Sequence, residues 1–556
     1  MRHVPEATYD AQLAMGCMPG TRVQVLNNID SWIKDPEAPQ IFWLTGHAGS
    51  GKTAIGHTVC TRAHEDPDII LGGSFFCSRS AGSVNQRDVR CIIPTLAQLL
   101  ARQSPQFGDA LAVELAREPD VLHKFIKKQV EFLLQKPLVA LKDSRKWIVF
   151  VIDALDECSS QLNMNGTLDD PDSHQIVISM IEALFAFSES SIELPVKFLV
   201  TSRPETHIRD TPLSDASFSK VFQLHTVEKE TVTEDIRLYI LARMSSNTKL
   251  RTWFTEHDAE LLSQLCGGLF IVATTAINYT LSDGVDRASQ RFKALMNATR
   301  DGLSAGAVAP LDRMYALILY DATKADNLDT FDLPSMKRVL ASLLAARMTL
   351  SVSSVADLLG MTKNDLRASL SHMHAVIHVP DGDSEAGLRT LHASFGDYLL
   401  ERADGTFRIS DSLGDTVLTD GCLEVMANQL YFNVSQSRSS YEANQAQKPD
   451  SITHSLEYAC LHWIYHVARL CPTAPSPPKV KHTGSLSQRF LSLVRRTAPP
   501  VTPSKLDEMI NAIFRPRLLF WLEIMSLLGQ VQRATAMLNF ASKTVRMCYC
   551  STETKS

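Results

Sequence analysis

Eight residues, Gly46-His47-Ala48-Gly49-Ser50-Gly51-Lys52-Thr53, set glycines, a lysine and a hydroxyl at the spacing G-x-x-x-x-G-K-[ST]. That combination suits a polyanion. Glycines at 46, 49 and 51 let backbone N–H groups turn inward on phosphate oxygens, and a helix opening at Lys52 presents its positive end to them. Lys52 adds a point charge for β- and γ-phosphates, and Thr53 offers a hydroxyl to Mg²⁺. His47, Ala48 and Ser50 complete the loop, so 46–53 is the expected nucleotide-binding segment. Such a loop needs a strand before it and a helix after it. The apolar run Ile41-Phe42-Trp43-Leu44 and the helix-like AIGHTVCTRA supply both.

Acidic residues downstream complete the chemistry. WIVFVIDALDEC places Asp153 at the end of a buried strand, where it holds the Mg²⁺ hydration shell beside Thr53. Small Ala154 follows. Asp156 and Glu157 project from the strand-end loop toward a γ-phosphate and its attacking water, and one of them orients or deprotonates that water, typically worth ~10²–10⁴-fold in rate. The spacing does not say which. In KFLVTSRPE a buried strand runs into Thr201-Ser202-Arg203, setting a guanidinium at the sheet edge where ligands bind in open α/β sheets. Arg203 either senses a γ-phosphate through charge-assisted hydrogen bonds or pairs with Glu205. Thr362-Lys363-Asn364-Asp365 fits the T-K-x-D form that recognises guanine, but it lies far beyond the loop and no D-x-x-G follows Asp153. A helix start after Gly360-Met361 explains it better.

The elements that must position these residues read as an α/β domain followed by helices. Gly72–Cys77, Trp147–Ile152, Lys197–Thr201 and Lys220–Leu224 are near-continuous apolar strands separated by helical stretches, the pattern of a parallel sheet covered on both faces. After 228 amphipathic helices dominate. Thr231-x-x-Glu234 reads as a capping box opening a helix to about Met244. Asp258–Cys266 and Leu269–Tyr279 read as helices broken at Gly267-Gly268. Helices from Pro334, a β-like Val376–Val379, the acidic turn Asp381-Gly382-Asp383 and a return at Leu388–Leu391 suggest a winged-helix module. A last helix is expected from Leu518 to about Phe540. The implied divisions are 1–40 lead-in, 41–228 P-loop nucleotide-binding domain, 229–330 helical domain, 331–410 winged-helix-like domain, 411–470 helical region, 471–504 proline-rich linker and 505–556 C-terminal helices.

Composition sets outer bounds. The 556 residues exceed one core, so several domains are expected, and 45% hydrophobic with 21% charged residues is ordinary globular usage. A net charge of −6 gives no overall footprint for nucleic acid. Eleven cysteines without a C-x-x-C pair read as reduced, cytosolic thiols, and the C-Y-C of Cys548 and Cys550 as a frayed terminus. The longest apolar stretch, Gly267–Ile277, is too short to span a bilayer, and the N-terminus lacks a secretion pattern, so a cytoplasmic protein is expected.

IFWLTGHAGSGKTAIGHTV, GGSFFCSR, WIVFVIDALDEC and KFLVTSRPE, in this order, resemble the NACHT domain of fungal STAND NTPases, relatives of NLR immune receptors. CGGLFIVATTAI, PLDRMYALIL, LHASFGDYLL, LEYACLHWIYH and LFWLEIMSLLG extend the resemblance over most of 17–540. It implies an ATP/ADP-binding signalling switch, of the kind used in fungal non-self recognition or programmed cell death. Such a switch rests closed with ADP, exchanges it for ATP, hydrolyses ATP slowly with Mg²⁺, and self-oligomerises to cluster an effector. It also implies that a winged-helix histidine touches the ADP phosphates, and His392 in LHASFGDYL is the matching residue. That histidine otherwise caps or packs. The adenine-lining GLP motif of relatives reads Gly267-Gly268-Leu269-Phe270 here, without proline. Cys17-Met-Pro-Gly-Thr-Arg22 resembles the family's lead-in, which implies no separate effector ahead of it, and no WD or ankyrin repeats follow. Protein partners carrying effector or sensor are therefore expected. A nucleotide-locked scaffold with negligible turnover and a mechanical AAA-type ATPase are the competing readings.

Overall fold

A computed structural model describes residues 3–12, 16–78, 84–142, 144–158, 173–188, 194–204, 219–246, 248–282, 284–300, 309–324, 333–380, 387–434, 451–470, 503–539 and 541. They form two compact units. The first takes in the described residues up to Ile318 together with His392–Phe395, and the second takes in Leu319–Leu391 and those from Gly396 onward.

The first unit is built on a five-stranded sheet of order β2-β3-β4-β1-β5, with β1 Ile41–Thr45, β2 Ile69–Phe76, β3 Trp147–Asp153, β4 Val196–Ser202 and β5 Ser219–Gln223. All pairings are parallel. Side chains alternate between faces along each strand, and both faces are covered. Trp43, Phe75, Phe150 and Phe198 enter one core; Phe42, Leu44, Val151 and Leu199 enter the other, beneath α1 (Val23–Lys34) and α2 (Lys52–Glu65). Two-sided burial explains why these strands read as continuous apolar runs. Because β4 lies between β3 and β1, the ends of these three strands converge at one edge of the sheet.

Helices complete this unit, among them Lys229–Ser245, Glu256–Leu265 and Phe270–Leu281. The expected capping box at Thr231 and Glu234 is not the start of its helix. Glu228 occupies the cap position without a side-chain bond, Thr231 lies inside the first turn, and Glu234 pairs with Arg237 at 2.7 Å. The reciprocal box belongs instead to Thr255 and Asp258, at the next helix. Gly267 and Gly268, with φ 57° and 82°, separate the two helices as their sequence implied.

In the second unit, helices Leu333–Ala345, Val352–Leu359 and Lys363–Leu370 precede the antiparallel pair β6 (Ile377–His378) and β7 (Arg389–Thr390). Thr362 caps its helix by accepting the Asp365 N–H at 3.1 Å, so the T-K-x-D segment is a helix start. Helices Asp411–Gln429 and His454–Leu470 are cross-linked by buried His466, whose Nδ1 lies 2.8 Å from Asp415 Oδ1 and whose Nε2 lies 2.8 Å from Tyr458 Oη. The last helical region differs from expectation. A helix runs Pro503–Leu527, and the helix expected through Phe540 breaks at Gly529 (φ 67°) before resuming at 531–539. Gln530 N–H returns to Met525 O at 2.7 Å, a glycine-terminated closure that ends the first helix. The 381–383 turn, residues 471–502, Glu205, Cys548 and Cys550 lie outside the described residues. No described helix is long and apolar enough to cross a membrane.

Candidate functional site

The loop after β1 is fastened first to β4, where Gly46 N–H donates to Ser202 O at 3.3 Å. It then turns through Gly49 (φ 77°) and Gly51 (φ 91°), a backbone that costs other residues roughly 1–2 kcal/mol. Space forbids a side chain as well. A Cβ at Gly49 would sit 2.0 Å from Ile271 Cγ2, and Ile271 N–H donates to Gly49 O at 3.2 Å. Lys52 is 8% exposed, and its Nζ donates to the carbonyls of Gly46 (2.7 Å) and His47 (3.0 Å). Burial holds its pKa below the usual lysine value against the pull of Asp156 and Asp153. The hydroxyl of Ser50 is buried in this loop without a partner, a polar atom that a phosphate oxygen would satisfy.

The carboxylates meet the loop at the same edge. Asp153 ends β3 almost fully buried, and its Oδ1 accepts the Thr201 hydroxyl at 2.7 Å. Burial raises its pKa, opposed by hydrogen bonds from Thr201 and Thr53 and by the charge of Lys52. Thr53 and Asp153 thus meet as expected, and a hydroxyl with a carboxylate suits a hard cation such as Mg²⁺. Ala154 (φ 53°) turns the chain into a short helical turn, Leu155–Glu157. Asp156 is gripped at both oxygens: Oδ1 accepts Arg203 N–H at 2.9 Å, and Oδ2 lies 3.2 Å from Arg203 Nε. Arg203 Nη2 stands 3.7 Å from Glu157 Oε1. The arginine expected to face phosphate is therefore shared by the two acids beside it.

Sequence reading missed Arg22. Its φ of 55° is unusual for a side-chain-bearing residue, and three contacts hold it there. Its backbone N–H donates to Asp235 Oδ2 at 3.0 Å, Nη2 donates to Ser50 O at 2.8 Å, and the guanidinium lies 4.9 Å from the Phe270 ring centre. Nε and Nη1 are buried without partners. The lead-in segment, the phosphate loop and the Gly267-Gly268 segment thus converge on one side chain, a tertiary contact that local spacing does not encode. Arg22→Ala is expected to cost about 1–3 kcal/mol from the lost charged hydrogen bond and ring contact, read as a lower melting temperature. Arg22→Lys should not restore it, because an ammonium has no planar face to stack while bonding Ser50. A melting temperature unchanged in both variants would show the contact to be idle.

His392 belongs with the first unit. Its Nδ1 accepts the Ser394 N–H at 3.1 Å and lies 2.6 Å from Ser394 Oγ, which in turn lies 2.8 Å from Tyr315 Oη. The capping role weighed for this histidine is present. Because Nδ1 accepts a backbone N–H, the neutral ring carries its proton on Nε2, a donor.

Residues 20–203 match the family model described as Nephrocystin 3, N-terminal, a span that runs through the loop and both strand-end motifs to Arg203. Motifs and parallel sheet together give this segment the fold of a P-loop nucleotide-binding domain. Among solved structures the chain is similar to a Signal Transduction ATPase with Numerous Domains protein with a tetratricopeptide repeat sensor from Pyrococcus horikoshii (TM-score 0.36, 11% identity, 97% of this chain and 67% of that chain). It is also similar to Cdc6p from Pyrobaculum aerophilum (TM-score 0.27, 12% identity, 74% and 97%) and to Drosophila ORC bound to DNA (TM-score 0.27, 11% identity, 75% and 89%). At these scores the likeness specifies neither ligand nor partner. No curated protein matches the chain.

Proposed function

We propose that the chain is an ATP/ADP-binding STAND switch that hydrolyses ATP slowly and self-assembles under nucleotide control, with partners supplying effector or sensor. One observation carries this reading. The orphaned Ser50 hydroxyl, buried Lys52 and the joined Thr53 and Asp153 side chains lie together at the C-terminal edge of a parallel sheet. Bound Mg²⁺ would neutralise charge developing on the phosphates, held by Thr53 and Asp153. Lys52 and the loop N–H groups bind the phosphates, Glu157 orients or deprotonates water, and Asp156 fixes Arg203 beside it. Denaturing the purified protein and chromatographing the released nucleotide should yield ADP, and ATP turnover should run over minutes to hours. Protein that holds no nucleotide and takes up no ATP would sink the proposal. Bound nucleotide with no turnover would favour a locked scaffold.

His392 is proposed to hold the resting state by donating from Nε2 to the ADP β-phosphate. Losing that bond costs ~0.5–1.5 kcal/mol, or ~3 if the phosphate charge is felt, which shifts a two-state switch by roughly one to two decades. His392→Leu should release ADP correspondingly faster and raise the oligomeric fraction in ATP. Unchanged ADP release, measured by displacement of a fluorescent ADP, would leave His392 as a helix cap alone.

A further inference from the structure

We infer that Cys77 and Cys158 form a modification site, a thiol pair that peroxide converts to a disulfide, fastening the carboxylate turn of the nucleotide site to the end of β2. Their Sγ atoms are 3.1 Å apart, about 1 Å beyond the ~2.03–2.05 Å of a disulfide bond. Both are free thiols. Backbone bonds hold each at a strategic place. Cys77 follows β2 and donates its N–H to Asp153 O at 3.0 Å, while Cys158 directly follows Glu157 and donates its N–H to Leu155 O at 3.2 Å. Backbone bonds to Asp153 and Leu155 thus tie both cysteines to the segment that carries Asp153, Asp156 and Glu157.

The chemistry balances with hydrogen peroxide as oxidant. One thiol sulfur attacks the peroxide, the O–O bond breaks, and a sulfenic acid and one water result. The second sulfur then attacks the first, an S–S bond forms, the S–O bond breaks, and the hydroxyl leaves with the thiol proton as a second water. Two thiols are oxidised and one peroxide is reduced to two waters. Burial pushes the Cys77 thiol up and slows the first step. The second step needs only the short gap, so the sulfenic acid is captured before it is oxidised further. Residual exposures of 5% and 6% leave both residues within reach of so small an oxidant.

Closing the gap draws Cys158, and with it the end of the Leu155–Glu157 turn, toward β2. A catalytic group misplaced by ~1 Å can lose ~10²-fold in rate. Lys52 and the phosphate loop stand on β1 and α2, outside the linked segment. Oxidised protein should therefore retain nucleotide while hydrolysing ATP at least tenfold more slowly. This effect rests on the reading of Glu157 above, whereas the cross-link rests on the sulfurs alone.

The test treats the full-length protein with hydrogen peroxide, blocks remaining thiols by alkylation, digests it and maps cysteines by mass spectrometry. A Cys77–Cys158 linked peptide that dithiothreitol cleaves is expected, with buried Cys60 and Cys91 still alkylated as thiols. Cys77 and Cys158 remaining as thiols, or appearing as sulfinic acids without a linked peptide, would overturn the proposal. Cys158→Ser should abolish both the linked peptide and the peroxide-induced loss of hydrolysis; a variant that still loses hydrolysis refutes the regulatory half. Should the chain hold no nucleotide, the reading of the site fails while the linked peptide still decides the cysteine pair.

Discussion

Lys52→Ala is expected to remove nucleotide binding while leaving the helices of the second unit folded. The ammonium is nine-tenths buried and bonded to two loop carbonyls, Gly46 O and His47 O, so it stands inside the curve of backbone that phosphates would occupy. Hydrogen bonds to charged groups contribute about 1.5–3 kcal/mol each, and a lysine reaching two phosphates would lose about 3–6 kcal/mol of binding, two to four decades in affinity. Folding should tolerate the change. Alanine abolishes a desolvated charge along with its two bonds, and the second unit has its own core around Tyr458, Trp463 and Trp521. Titration with a fluorescent ATP analogue measures the loss, and circular dichroism checks the helices. A mutant that binds as well as wild type would sink the phosphate-loop assignment; one that loses helicity would make Lys52 a structural cation. Competition should favour ATP over GTP, since Thr362 and Asp365 are occupied in capping a helix.

What could be read in advance depended on the range of the physical signal. The strands were legible because both faces of a parallel sheet are buried, so Trp147–Asp153 and Val196–Ser202 are apolar almost throughout. The loop was legible because its backbone demands glycine at positions 49 and 51. Helix ends were less so. Thr231 and Glu234 have the right spacing for a cap, but packing of Val232 and Ile236 into the core decides where that helix begins. Arg22 was invisible because its partners, Ser50, Asp235 and Phe270, are up to 248 residues away, from Arg22 to Phe270, in sequence. The same limit applied to Arg203, for which sequence offered Glu205 as a neighbour, while the fold delivered Asp156 from another strand end.

That last contact separates two acids that spacing could not tell apart. Glu157→Gln is expected to slow ATP hydrolysis by ~10²–10⁴-fold with nucleotide affinity nearly unchanged, because an amide keeps the shape of the carboxylate but cannot take a proton. Asp156→Asn should behave differently. Its amide can still accept the Arg203 N–H through oxygen, but the opposite edge then turns an NH₂ toward Arg203 Nε, two donors facing each other where a charge-assisted bond had been. The charge-assisted bond to Arg203 is lost, which costs about 1.5–3 kcal/mol. The Asp156 variant should therefore lose thermal stability as well as rate, whereas Glu157→Gln should keep its melting temperature. Asp153→Ala, which removes the partner of Thr53 and Thr201, should weaken Mg²⁺-dependent binding itself. Single-turnover hydrolysis, nucleotide titration and thermal melts on the three variants distinguish these outcomes. If Asp156→Asn slows turnover at unchanged melting temperature while Glu157→Gln turns over normally, the roles are reversed, and Asp156 handles the water despite its arginine. Equal loss of binding in all three would mean that the D-A-L-D-E turn only holds the sheet edge together.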